Sequence, residues 1–212
     1  MTTFIENSTS IIGAFPVPIL LQNLNRDFTE EENKFFEIKK KDINKNLSNA
    51  NSIDNYILEN QEMKELKSNI LEGVNNYFES IVCPPEKTVK PYITQSWLNW
   101  TTKNEYHHKH NHPNSYISGV LYIDVDEKVD SINFYNDSYQ IIKIDSDSKK
   151  SNIFNTSMIN VFVKKNLLIL FPSGLSHSVN MKDSENIRTS LAFNTFIKGT
   201  WGSNYGFTEL II

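Results

Sequence analysis

Four of the chain's five histidines, His107, His108, His110 and His112, stand within six positions, and the fifth is His177. Neutral imidazole is the commonest side-chain ligand for a transition metal, so this clustering points first to metal chemistry. Along an extended strand side chains alternate between faces, which predicts His108, His110 and His112 on one face and His107 on the other. Same-face neighbours two residues apart lie roughly 6.5 Å from each other. That is close enough for two imidazoles to reach one ion at about 2.1 Å each. Three in a straight row do not converge, so His110 pairs with either His108 or His112. Pro113 stops ladder pairing just after His112 and leaves it at a strand end, which favours His110 with His112. His108 stands as the alternative companion. The plain alternative is an exposed histidine-rich loop that binds metals adventitiously.

His177 lies just beyond Leu167-Leu168-Ile169-Leu170-Phe171-Pro172, a continuous apolar run that reads as a buried strand. With the upstream H-x-H pair it supplies the third ligand of a facial site that leaves positions open, the arrangement of non-haem iron oxygenases. In the following run, Arg188-Thr189-Ser190-Leu191-Ala192-Phe193-Asn194, alternation puts Arg188, Ser190, Ala192 and Asn194 on one face. A guanidinium fork, a hydroxyl and an amide then line one interior surface. A buried arginine needs an anion, because unpaired burial costs several kcal/mol. A dicarboxylate cosubstrate would provide one; pairing with an Asp or Glu at a barrel rim is the plain alternative.

The elements that must position these residues are legible in outline. The segment Phe15-Pro16-Val17-Pro18-Ile19-Leu20-Leu21 reads as an edge strand, because prolines cannot donate to a central ladder. Thr29 followed by Glu30, Glu31 and Glu32 reads as an N-cap with acids in the first turn, opening a helix predicted to run to about Lys45. A second helix over about 61–82 shows Met63, Leu66, Ile70, Leu71, Val74, Tyr77 and Phe78 at three- and four-residue steps, and Pro84-Pro85 ends it. Beyond Pro91, β-type runs are predicted near 92–102, 115–124, 131–135, 139–145, 153–163, 167–171, 176–180 and 187–198. Two helices followed by strands, without βαβ alternation, predict a mainly β protein with N-terminal helices packed on one face of a jelly-roll sandwich. The Asn- and Ser-rich stretches around 45–60 and 145–160 are taken as solvated loops.

At 212 residues, with 39% hydrophobic and 12% aromatic residues, the chain can bury one sizeable core. A single domain over 1–212 is expected, with a helical part at about 26–85 and a jelly-roll core at about 90–200. No apolar run approaches the roughly 20 residues needed to span a bilayer, and the N-terminus lacks a signal-peptide pattern. A cytoplasmic protein is the expectation. The single cysteine, Cys83, removes internal disulfides and cysteine-based zinc sites, and is expected to be a small buried or half-buried side chain. A net charge of −4 without a basic block disfavours nucleic acid as a partner.

The sequence resembles the 2-oxoglutarate and iron(II)-dependent dioxygenases, in particular a bacterial and phage subgroup. The likeness lies in His107-x-x-His110-x-His112-Pro113-Asn114-Ser115-x-x-Ser118-Gly119-Val120-x-Tyr122, in Leu170-Phe171-Pro172-Ser173-x-x-x-His177-x-Val179, and in Arg188-x-Ser190-x-x-Phe193-Asn194. It covers the C-terminal part well and the N-terminal helices loosely. The resemblance implies a double-stranded β-helix of cupin type, with Fe(II) on His110, His112 and His177. It implies 2-oxoglutarate held by Arg188 and Ser190, with Tyr122 and Asn194 beside it. The partners implied are O2 and a substrate the sequence does not identify; a homodimer is compatible with this reading.

In the activity so implied, 2-oxoglutarate decarboxylation to succinate and CO2 is coupled to substrate hydroxylation. Trp97, Trp100, Tyr116 and Tyr122 are candidates for the aromatic lining, against the plainer reading as core. One departure from the superfamily is His112, standing where an Asp or Glu is usual; it removes a negative charge from the ligand set. Two other readings compete: a three-histidine dioxygenase that uses no keto acid, and a cupin-like metal-binding module without turnover. A serine hydrolase is set aside, because Gly174-Leu175-Ser176-His177 is not a G-x-S-x-G elbow.

Overall fold

The computed structural model describes residues 11, 13, 15–46, 48–84, 89–137 and 147–212. Elements follow in the order β1 (Leu20–Asn23), α1 (Glu30–Lys39), β2 (Ile43–Lys45), β3 (Ala50–Ser52), α2 (Lys64–Val82), β4 (Val89–Thr101), β5 (His107–His110), β6 (Ile117–Asp124) and β7 (Ser131–Tyr135). They continue with β8 (Met158–Phe162), β9 (Leu167–Pro172), β10 (His177–Val179), β11 (Arg188–Trp201) and β12 (Leu210–Ile211). The strands form two antiparallel sheets: a major one ordered β1-β9-β6-β11-β4-β3-β2, with β12 paired to β11, and a minor one ordered β5-β10-β7-β8. This is a mainly β, double-stranded β-helix fold with the two helices on one side.

Alternation along the major sheet separates two environments. Leu98, Leu121, Leu168, Leu170, Leu191 and Phe193 join Leu66, Ile70, Val74 and Phe78 of α2 in the larger core. The intervening residues of the same strands, such as Tyr122, Ile169 and Phe171, face the minor sheet and pack with Ile132 and Phe134. The run 167–172 is continuously apolar because β9 is buried on both faces. Gly119 is where the helix side packs tightest: a Cβ there would lie 2.2 Å from Phe193 Cζ and 2.7 Å from Leu170 Cδ2. Only glycine lets β6 pass that close to the Phe193 ring.

Several expectations are corrected. Helix α1 has the expected Thr29 cap, completed by Glu32 as a capping box, but it stops at Lys39 rather than Lys45. Residues 43–45 instead pair with 50–52 as a hairpin whose turn is fixed by Asn46, so strands precede and separate the helices. The stretch taken as a solvated loop therefore carries buried Ser48, Asn49 and Ser52. The N-terminal strand begins only at Leu20, after the prolines, and lies at the sheet edge on β9. The strand expected over 153–163 is confined to 158–162. The strand expected over 139–145 lies outside the described residues. Cys83 is exposed at the end of α2, in a left-handed conformation (φ 46°). Among the described residues no helix is long and apolar enough to cross a membrane.

Candidate metal centre

The histidine run does not alternate as a regular strand would. His110 pairs with His177 and His107 with Val179, so three steps along β5 oppose two along β10. This extra residue is a β-bulge, and it returns His107 and His110 to the same inward face. Their rings stack with centroids 4.4 Å apart and planes at 14°, while His108 is exposed. The expectation that His107 faces away from His110 is thus overturned by one inserted residue. Beyond β5 the chain crosses to the end of β9, where the His112 backbone N–H donates to Ser173 O at 2.9 Å.

His110, His112 and His177 converge, with one potential ligand nitrogen from each lying within 4.8 Å of the others. His177 is 6% exposed and packs against Phe171, centroids 4.7 Å apart. His108, the alternative companion of His110, stands outside this group.

Each ring of the triad is oriented from behind. His110 Nδ1 lies 2.8 Å from His108 O, His177 Nδ1 lies 3.0 Å from Leu175 O, and His112 Nδ1 lies 2.6 Å from Asn194 Oδ1. A carbonyl oxygen only accepts, so Nδ1–H donates in each case and Nε2 keeps its lone pair. Such outer hydrogen bonds fix both tautomer and ring direction at metal sites. Burial also disfavours the imidazolium: it pushes His177 down to about 3, with nearby His110 adding to the effect. It lowers His110 and His112 as well. The triad is therefore a set of neutral nitrogen donors at pH 7.

Asn194 does not border the cavity beside the triad, as expected from alternation; it stands behind His112. Ser118 donates to the same Asn194 Oδ1 at 3.0 Å and lies 2.8 Å from Ser173 Oγ, which continues to Ser115. This buried hydroxyl chain was not anticipated as a functional unit, although Ser115, Ser118 and Ser173 all fall within the quoted motifs.

The cavity between the sheets is lined by the triad and His107, by Trp97, Tyr122, Phe171, Val120 and Ile132, and at one end by Asn49, Asn99, Thr101, Arg188 and Ser190. Ser190 pairs across the strands with both Asn99 and Tyr122. Of the four aromatics considered for the lining, Trp97 and Tyr122 are there. Trp100 belongs to the helix-side core, and Tyr116 packs edge-on against Phe78.

Arg188 is 5% exposed, and its NH2 group donates to Thr101 Oγ1 at 2.9 Å. Its NH1 comes within 3.8 Å of Asp130 Oδ1, longer than a hydrogen bond. Asp130 is already engaged by the fully buried Lys182, whose Nζ lies 3.1 and 3.2 Å from the two carboxylate oxygens. Two buried cations thus share one carboxylate, leaving a local excess of positive charge, and of the three groups Arg188 borders the cavity.

A double-stranded β-helix enclosing three converging imidazoles defines a jelly-roll protein of cupin type. Residues 95–194 match the family described as "Putative 2OG-Fe(II) oxygenase". That match, over just under half of the chain, is what relates it to the 2-oxoglutarate and iron(II) oxygenases. Its fold is similar to that of a 2OG-Fe(II) oxygenase-family oxidoreductase from Burkholderia pseudomallei, at 10% identity and a TM-score of 0.56 over 84% of this chain and 83% of that one. It is also similar to HygX from Streptomyces hygroscopicus, crystallised with nickel, 2-oxoglutarate and hygromycin B, at 15% identity and a TM-score of 0.57 over 84% and 82%. A third likeness is to SnoN, a non-haem α-ketoglutarate-dependent epimerase of nogalamycin biosynthesis, at 10% identity and a TM-score of 0.58 over 89% and 84%. No curated protein sequence matches the chain.

Proposed function

We propose that this protein is a non-haem iron(II) dioxygenase that couples 2-oxoglutarate decarboxylation to hydroxylation of an organic substrate. The observation that carries this reading is the convergence of one ligand nitrogen from each of three imidazoles, each ring held at Nδ1 by an oxygen acceptor. The donor set fits a divalent ion: neutral imidazoles need no proton loss at pH 7 and suit iron. His110, His112 and His177 would hold it, and His108 takes no part.

Iron(II) and the keto acid, when bound, supply the oxidation: 2-oxoglutarate and O2 give succinate and CO2, and the second oxygen atom enters a substrate C–H bond. The protein's own contribution is binding, orientation and exclusion of water. Arg188, pre-aligned by Thr101, offers a guanidinium fork to the far carboxylate of the keto acid, and Ser190 and Tyr122 stand across from each other to add hydroxyls. That carboxylate also offsets the positive excess of Arg188 and Lys182 over Asp130. With three neutral ligands instead of two and a carboxylate, the site carries one negative charge fewer, so a dianionic cosubstrate is held against less repulsion. Trp97, Val120 and Phe171 give the cavity its apolar walls.

A second reading is favoured by the all-imidazole donor set: a three-histidine dioxygenase acting on a chelating substrate without a keto acid. Arg188 argues for the first. Anaerobically loaded iron(II) protein given 2-oxoglutarate and O2 should form succinate, and the rate should rise when the substrate is supplied from cell extracts. No succinate above the metal-free background would remove the keto-acid reading. One fold relative is an epimerase; incorporation of oxygen-18 from O2 into the product distinguishes hydroxylation from that outcome.

A further inference from the structure

Asn49 is 3% exposed, borders the cavity, and has no hydrogen-bond partner among the described residues at either Oδ1 or Nδ2. A buried primary amide left unpaired is destabilising, so it calls for a reason. The turn it sits in does not provide one. Asn46 Oδ1 accepts the backbone N–H groups of Ser48 and Asn49 at 2.9 and 3.0 Å, and Asn46 N–H donates to Asn49 O at 3.0 Å. Tyr106 N–H donates to Ser48 O at 3.0 Å, tying the hairpin tip to the residue before β5. All of these bonds use Asn49's backbone or its neighbours. The Asn49 side chain is held rigidly at the cavity wall without serving the fold.

Strand register identifies what stands beside it. Ala50 pairs with Trp100 and Asn51 with Asn99, so Asn49 comes level with Thr101, one step beyond. Thr101 in turn pairs with Arg188 and accepts its NH2 proton. Asn49, just before β3, therefore forms one polar row with Thr101 of β4 and Arg188 of β11, at the end of a cavity whose other walls include Val120, Ile132, Phe171 and Val179. Asn49 also lies outside residues 95–194, the part of the chain that matches the oxygenase family.

We propose that Asn49 is a ligand-binding residue, whose carboxamide donates to the far carboxylate of a dicarboxylate held by Arg188. The identity of that dicarboxylate as the keto acid rests on the function proposed above. Nδ2 supplies the donor to the carboxylate. The Thr101 hydroxyl hydrogen, which has no acceptor among the described residues, is the complement of Asn49 Oδ1 in the same row.

The test is isothermal calorimetry on full-length Mn(II)-loaded protein, which binds the keto acid without turnover. Ligands are 2-oxoglutarate, pyruvate, which chelates but has no far carboxylate, and glutarate, which has that carboxylate but no keto group. Asn49→Ala should weaken 2-oxoglutarate about tenfold, the size of a modest hydrogen bond to a charged group. Asn49→Asp should weaken it further, by about a hundredfold, through like-charge repulsion. Pyruvate binding should not change. Thermal unfolding of the ligand-free Asn49→Ala protein should occur at the same temperature as wild type or higher, because an unpaired buried amide is removed. Equal losses for pyruvate and 2-oxoglutarate, or a lowered unfolding temperature, would make Asn49 a structural residue and overturn the proposal. Wild-type affinity for 2-oxoglutarate with both variants unaffected overturns it too, and leaves the proposed function standing. If wild type binds glutarate but not 2-oxoglutarate, the keto-acid reading fails and the same variants decide Asn49 on glutarate. Binding of neither dicarboxylate removes both.

Discussion

His112 Nδ1 lies 2.6 Å from Asn194 Oδ1, and this contact orients the one member of the triad that stands outside regular strand structure. His110 and His177 are held by backbone carbonyls, which no substitution removes. His112 depends on side chains, Asn194 first and Ser118 Oγ at 3.0 Å beside it. Asn194→Ala should therefore weaken metal binding by about 10–100-fold while the protein stays folded. Asn194→Asp, which keeps an acceptor at the same place, should retain most of the affinity. A competitive titration with a colorimetric chelator checks both, and an unchanged affinity in Asn194→Ala would show that His112 is positioned by other means.

The bulge in β5 separates the histidines by role. Replacing His110, His112 or His177 with alanine should abolish the visible absorption of bound cobalt(II). His108→Ala, which alters an exposed ring outside the converging group, should leave that spectrum intact. Loss of the cobalt spectrum in His108→Ala would mean that His108 belongs to the ligand set after all.

Much of this was legible in the sequence, because the strands concerned are regular. Arg188 to Phe193 pair with β4 without a register shift, so simple alternation correctly placed Arg188, Ser190 and Ala192 on the cavity wall. The continuous apolar run before His177 likewise announced a strand buried on both faces. Alternation failed at His107, because a bulge is set by pairing with β10 and leaves no local signature in the histidine run itself. It failed at Asn194 for another reason. The residue lies at the register shift between Phe193 and Thr195, and its partners His112 and Ser118 are brought in by other segments of the chain. Asn49 was invisible because Asn- and Ser-rich composition reads as solvated loop; only the pairing of β3 with β4 shows that this hairpin extends the major sheet. The end of α1 was misplaced for the same reason: residues 43–45 are claimed by a ladder that local propensity does not reveal.

Acid should destabilise the metal-free protein. Burial pushes both His107 and His177 down to about 3, well below the ordinary value of 6.5 for a free histidine. Below about pH 6.5 the unfolded chain takes up protons that the folded chain refuses, so stability falls as pH drops from there towards 3, and is unaffected by these groups above it. Urea denaturation of metal-free protein between pH 7.5 and pH 4.5 measures this. The slope should be shallower in His177→Gln. A flat profile across that range would contradict the burial of these rings as neutral imidazoles.

Asp130 holds two buried cations, Lys182 by hydrogen bonds and Arg188 at longer range. Removing it leaves both without their carboxylate, so Asp130→Ala should lose about 3–5 kcal/mol of folding stability. Saturating dicarboxylate should restore part of this loss by supplying negative charge at Arg188. Denaturant titration with and without glutarate provides the check. A loss below about 1 kcal/mol, the level of an exposed ion pair, would mean that the cluster is solvated.

The most direct test of the account is an anaerobic titration of the iron(II)-loaded protein with 2-oxoglutarate, followed by visible absorption. A keto acid chelating iron(II) on the three histidines should give a weak metal-to-ligand charge-transfer band in wild type. At the same concentrations the band should be absent from Arg188→Ala, even though that variant still binds iron. Iron bound by wild type with no band at saturating 2-oxoglutarate would contradict the assignment of this cavity as a keto-acid site.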